Sequence, residues 1–137
     1  MEINWLAIGL ATLVPTAVGA LWYGPIFGKA WIKSTGKTEE ELMEGFNVAR
    51  VMITNLILGF FIALSIWGLI KGMHRGSDHP AWFGHGALHG AMLGLFLVVP
   101  PMVIMAQYDR KSVVNVLLGV GYWVLTCALI GGIVDWL

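Results

Sequence analysis

Residues 51–70 read VMITNLILGFFIALSIWGLI, twenty consecutive positions without a charged side chain. A helix rises about 1.5 Å per residue, so about 20 residues cross a hydrocarbon core of about 30 Å. Three more such runs flank it. Ile3–Gly28, His79–Tyr108 and Ser112–Val134 hold 26, 30 and 23 uncharged residues. Charged residues are 12% of the 137-residue chain, against roughly 25% in ordinary soluble domains. All sixteen, eight of each sign, fall in the connections and at the ends of the runs. The pattern predicts an all-α transmembrane four-helix bundle, a single integral membrane domain with spans at approximately 3–27, 48–71, 80–106 and 112–136. Zero net charge offers no basic surface for nucleic acid, and one cysteine cannot build a disulfide scaffold.

The first run is expected to stay in the membrane rather than act as a cleaved leader. No Lys or Arg precedes it, Glu2 does, and the apolar stretch continues through Phe27. The alternation that a membrane β-barrel requires is not visible. Orientation follows the basic residues. Lys29, Lys33, Lys37 and Arg50 lie in the first connection and Arg110 and Lys111 in the third, while the second holds only Lys71 and Arg75. Connections one and three are therefore expected in the cytoplasm, with both termini outside. Trp5, Trp67, Trp82 and Trp136 then fall near outer ends, and Tyr23, Trp31 and Tyr108 near inner ends.

Thr38-Glu39-Glu40-Glu41 has the spacing of a capping box. It predicts a short cytoplasmic amphipathic helix over Glu39–Phe46 between spans one and two, or else a solvated loop with one helical turn. Ser77-Asp78-His79-Pro80 reads as the start of the third span, with Pro80 at the first helical position and Asp78 or His79 as cap.

Polar residues are costly within a span, so the face they occupy points to the protein interior. At helical spacing the first span presents Thr12, Thr16, Gly19 and Tyr23, and the second Thr54 and Ser65. The third presents Asp78, Trp82, His85 and His89, and the fourth Asn115, Gly119, Tyr122 and Thr126. By helical rise Thr12, His89 and Thr126 lie about 13 Å from the outer ends, with His85 near Ser65. The expectation is a hydrogen-bonded polar interior in the outer half of the bundle, formed by Thr12, Ser65, His85, His89, Tyr122 and Thr126. The alternative is that these groups only satisfy one another and hold the helices together.

Gly86, Gly90 and Gly94 recur every fourth residue, a small-residue face against which another helix can approach closely. Pro15 and Pro25 interrupt the first span's hydrogen bonds, and Pro100-Pro101 is expected to kink or stop the third. Four helices of this length enclose little volume, which favours a homo-oligomer.

His85 and His89 stand four apart on one helical face, a spacing able to supply two metal ligands. Cys127 at similar depth is the sequence's nearest further ligand, since no carboxylate falls within the uncharged runs, and haem would need axial ligands from two subunits. No cofactor is expected. A titratable pair serving proton movement or solute binding is the favoured use, because imidazole changes charge near neutrality. The sequence contains no nucleophile elbow, phosphate-binding glycine loop or intramembrane carboxylate pair, so no enzymatic activity is expected.

Gly19-Ala20-Leu21-Trp22-Tyr23-Gly24-Pro25-Ile26-Phe27-Gly28-Lys29-Ala30-Trp31 resembles the signature of the domain of unknown function 1761 family. So do Gly36-Lys37-Thr38-Glu39-Glu40-Glu41-Leu42 and His89-Gly90, and the four spans follow in the same order. The resemblance implies a small, mostly bacterial integral membrane protein of the inner membrane, and it implies no activity. It singles out Trp22, Tyr23, Gly24, Pro25 and His89. The histidine-bearing segment from His74 to His79 departs from that pattern. Physically, Trp22-Tyr23-Gly24-Pro25 suits an interfacial anchor that ends the first helix. The same motif with Lys29 and Trp31 could instead bind a lipid headgroup or small solute. The leading expectation is an oligomeric, transport-like protein passing a small solute, ion or proton. A purely structural or accessory membrane protein is the second, and a metal- or haem-binding one the third.

Overall fold

The computed structural model describes residues 2–76, 78 and 80–137. Its elements are α1 (Trp5–Leu21), α2 (Gly28–Thr35), α3 (Glu39–Met43), α4 (Val48–Met73), α5 (Phe83–Leu93), α6 (Val99–Tyr108) and α7 (Val113–Trp136). Wide π turns at Trp22–Ile26 and Gly94–Val98 follow α1 and join α5 to α6. Four helical stretches are long and apolar enough to cross a membrane: Trp5–Ile26, Val48–Met73, Phe83–Tyr108 and Val113–Trp136. The all-α four-helix arrangement expected from the charge pattern is the one observed.

Side chains define where several helices begin. Asn4 accepts from the amides of Leu6 and Ala7 at 3.1 and 3.2 Å, Asn47 from Arg50 at 2.9 Å, and Ser112 from Asn115 at 3.2 Å. Each satisfies a first-turn amide that has no partner within its helix. The capping box is present in full: Thr38 Oγ1 accepts from the Glu41 amide at 3.2 Å, and Glu41 Oε2 accepts from the Thr38 amide at 2.8 Å. The helix it opens is shorter than Glu39–Phe46, because a turn with Gly45 at φ +70° intervenes before α4.

Three boundaries differ from expectation. Gly24-Pro25 does not end the helical path. Gly24 leaves helical geometry (φ −107°, ψ −107°), the Phe27 amide reaches back to the Trp22 carbonyl at 2.9 Å, and α2 follows at once. Pro100-Pro101 does not stop the third span either. The turn before it widens, with the Val99 amide bonding the Gly94 carbonyl, and α6 starts with the prolines in its first turn, where their missing N–H groups cost least. The third span begins at Phe83, not Pro80, with Trp82 extended at φ −157°, ψ 157°. Of the residues assigned to that start, Ser77 and His79 lie outside the described residues.

α1 packs mainly on α4 and α5 on α7, with α7 also touching α1 and α4. Ile8, Ala11, Ala63, Ile66, Trp67, Ile70, Cys127, Ile130 and Val134 are buried between them. Both close approaches are made by glycine. A Cβ on Gly59 would stand 2.6 Å from the Thr12 carbonyl oxygen. One on Gly86 would meet the Gly131 carbonyl, and one on Gly90 the Cys127 carbonyl. Asn4 Nδ2 donates to the Leu137 carbonyl at 2.8 Å, which clips the two chain ends together at one end of the bundle, here called the terminal end. At the opposite end Ser112 Oγ donates to the Ser34 carbonyl (2.9 Å), and Asn115 Nδ2 to Ser34 Oγ (3.1 Å).

Candidate functional site

The contact between α5 and α7 decides where the polar chemistry collects. With Gly86 and Gly131 backbone to backbone, side chains next to them are drawn within bonding range. His85 Nδ1 lies 2.7 Å from Asp135 Oδ2, and Lys71 Nζ, reaching across from α4, lies 3.1 Å from Asp135 Oδ1. The Asp135 side chain is fully buried, while those of Lys71 and His85 are 27% and 19% exposed, so the carboxylate is covered by its own two partners. Lys71 also reaches the Asp135 carbonyl at 3.4 Å.

This carboxylate corrects the reading that no acid lies within a span. Asp135 belongs to α7. A negative charge in the last turn of a helix faces the negative end of the helix dipole, so it depends on nearby positive or donating groups. Lys71 and His85 are those groups.

Three imidazoles complete the centre. His74 is the C-terminal cap residue of α4, and its Nδ1 lies 2.9 Å from the Ile70 carbonyl, one of the carbonyls orphaned at a helix end. His89 Nδ1 lies 3.0 Å from the His85 carbonyl, one turn back along α5. Ring centroids are 4.4 Å apart for His85 and His89, 4.6 Å for His74 and His85, and 4.9 Å for His74 and His89. One ring nitrogen from each of the three lies within 4.8 Å of the other two, a separation from which a metal ion could be held. Cys127 is not part of this group; it is fully buried in the apolar core and packs on the α5 glycines.

The remaining residues of the expected polar interior lie elsewhere. Thr12 Oγ1 donates to the Ile8 carbonyl of its own helix at 2.8 Å. Tyr122 donates to the Pro15 carbonyl at 2.7 Å, joining α7 to α1. Thr126 is fully buried, and its hydroxyl has no hydrogen-bond partner among the described residues. Ser65 is exposed on α4 and borders an apolar cleft with Leu69 and Leu93. The structure thus joins His85 to His89 but connects neither by a hydrogen bond to Thr12, Ser65, Tyr122 or Thr126.

Gly86, Gly90 and Gly94 all face α7, where a Cβ on Gly94 would stand 3.0 Å from Cys127 Cβ. The aromatic motif of the first span divides. Trp22 Nε1 donates to the Leu118 carbonyl of α7 at 3.0 Å. Tyr23 packs on Trp31 and Tyr122, with centroids 5.5 and 5.4 Å away. Those three rings wall a cavity of about 610 Å³ between α1 and α4. Gly24, Pro25 and Lys29 are exposed and contribute nothing to its lining. The motif therefore turns its rings into the protein.

Sequence reasoning missed Lys71, His74 and Asp135. Two signals pointed to them. Asp135 is followed by Trp136, so the last apolar run does not end at the charge, and it stands four residues after Gly131, on the face that meets the α5 glycines. Lys71 and His74 lie three apart at the end of the second span, a spacing that shares a face.

No curated protein and no solved structure matches the chain. The family described as "Protein of unknown function (DUF1761)" matches it over residues 6–134, nearly its whole length, and the chain belongs to that family.

Proposed function

We propose that the protein binds a small ion or solute at the terminal end of its bundle, in a transport-like role, through the centre formed by His74, His85, His89, Asp135 and Lys71. The observation that carries this reading is the buried Asp135 carboxylate held by His85 and Lys71 inside a span. Ionisable groups are retained at such positions at a cost in stability, which makes function the default explanation. Beside the centre the helices pack through Ile8, Ile66, Ile70 and Ile130, all buried. That apolar packing favours a binding step at one face over a continuous polar path within a single chain.

A thermal-unfolding screen of the purified protein tests the reading. Inorganic cations, inorganic anions and small amines are added in turn to wild type and to His85→Ala. At least one class raises the midpoint by several degrees in wild type and not in the variant, as ligand binding to the folded state requires. A screen in which no class does so overturns the proposal. It would favour an accessory role in which polar groups serve packing, consistent with the backbone-directed bonds of Thr12 and Tyr122.

A further inference from the structure

We infer that the ligand of this centre is a divalent transition-metal ion, held by one ring nitrogen each from His74, His85 and His89. The inference rests on the ligand-binding reading above and adds to it the chemical class of the ligand.

The first argument is tautomeric. His74 Nδ1 faces the Ile70 carbonyl, His89 Nδ1 the His85 carbonyl and His85 Nδ1 the Asp135 carboxylate. Carbonyl and carboxylate oxygens only accept, so each Nδ1 donates. A neutral imidazole with its proton on Nδ1 carries its basic lone pair on Nε2. All three rings are thus set in one tautomer, the one in which Nε2 is the metal-binding nitrogen. Donation from the other ring nitrogen to a carbonyl or carboxylate is the arrangement that orients metal-bound histidines and raises their basicity.

The second argument is spatial. Two rings come from adjacent turns of α5 and the third from the end of α4, and one nitrogen of each falls within 4.8 Å of the others. Around a tetrahedral ion with bonds of about 2.0–2.1 Å, ligand nitrogens stand about 3.3 Å apart. Closing that difference takes ring movements of about an ångström, with no displacement of a helix.

The third argument concerns the donor set. Three imidazoles suit zinc, copper or nickel, whereas magnesium and calcium require oxygen ligands. Both oxygens of the nearby carboxylate are engaged, one by His85 and one by Lys71. Asp135 therefore acts as a positioning residue behind His85. Three protein ligands leave a fourth position for water or an incoming ligand, and all three rings are partly exposed, which gives the ion a way in.

The test uses the full-length protein in detergent, freed of any histidine tag and stripped with a chelator. It is titrated separately with zinc, copper(II), magnesium and calcium chlorides, and bound metal is counted after gel filtration. Wild type is expected to retain one equivalent of zinc or copper and no magnesium or calcium. Loading with cobalt(II) should give the visible absorption of a four-coordinate site. His74→Ala lies away from the α5–α7 contact and should fold, yet bind at least tenfold more weakly, as should His89→Ala. Asp135→Asn should weaken binding by about 10- to 100-fold, the usual effect of losing a metal ligand's supporting partner. No retained metal in wild type, or retention unchanged in both histidine variants, overturns the inference. If an anion or amine stabilises the protein through His85 while no metal is retained, the metal inference fails and the ligand-binding reading stands. If nothing binds, both fail.

Discussion

Asp135 is the residue on which the terminal end depends. Its side chain is buried, its helix ends one residue later, and the only ion-pair partners it has among the described residues are Lys71 and His85. Removing one member of a buried pair strands the other without solvent, at a cost of roughly 3 kcal/mol. Lys71→Met is therefore expected to destabilise the protein by about that amount, measured by thermal or denaturant unfolding in detergent. The double variant Lys71→Met/Asp135→Asn should recover part of the loss, since it removes the stranded charge as well as its partner. Strictly additive losses would show that the two groups are not coupled. The sequence announced little of this, for a physical reason. A window that counts uncharged residues stops at the first charge, but a helix does not, and a carboxylate can enter a span where a partner helix supplies a cation. His85 and His89 were legible because their i, i+4 relation is local. The link from His85 to Asp135 spans 50 residues of chain and is made only by tertiary packing.

At the scale of elements, the contact between α5 and α7 creates the centre. Glycine alone allows it: a Cβ on Gly90 would collide with the Cys127 carbonyl, and backbone cannot move aside as a flexible side chain can. Gly90→Leu is expected to destabilise the fold by about 1–3 kcal/mol or more through overpacking, and to separate His85 from Asp135. Gly9 offers the control. It is exposed within α1, and a Cβ there would have nothing within 4 Å, so Gly9→Ala should be neutral or stabilising by up to about 1 kcal/mol. Equal losses at both positions, read from unfolding midpoints, would contradict the packing argument. The glycine stripe on α5 was readable from its spacing; its partner was not, because periodicity on one helix is silent about which neighbour fills the groove. Prolines misled for a related reason. Pro25 and Pro100 remove hydrogen bonds, but a widened turn passes the bonding to other carbonyls, and the chain stays helical on both sides.

Across the whole molecule, the two ends carry different chemistry. The terminal end holds the histidines with Lys71 and Asp135, while the cavity walled by Tyr23, Trp31 and Tyr122 lies toward the end where Ser34 meets Ser112. Four spans return the chain to its starting side, and the bond from Asn4 to Leu137 joins its ends there. Which compartment reaches the histidines therefore depends on one orientation. The excess of Lys and Arg in the first and third connections, six against two in the second, favours a cytoplasmic position for those connections and the opposite face for the histidine centre. Site-directed labelling can decide this because the one native thiol, Cys127, is fully buried. In intact cells whose outer barrier is permeabilised, Arg75→Cys should react with a membrane-impermeant maleimide, and Glu40→Cys only after lysis; both positions are exposed. The reverse pattern would turn the centre toward the cytoplasm. The distinction matters to the ion itself. A partly exposed three-histidine site facing outward meets metal at environmental concentrations, whereas one facing inward must compete with the cell's own metal-binding ligands, so the same donor set would serve uptake in one orientation and buffering or release in the other.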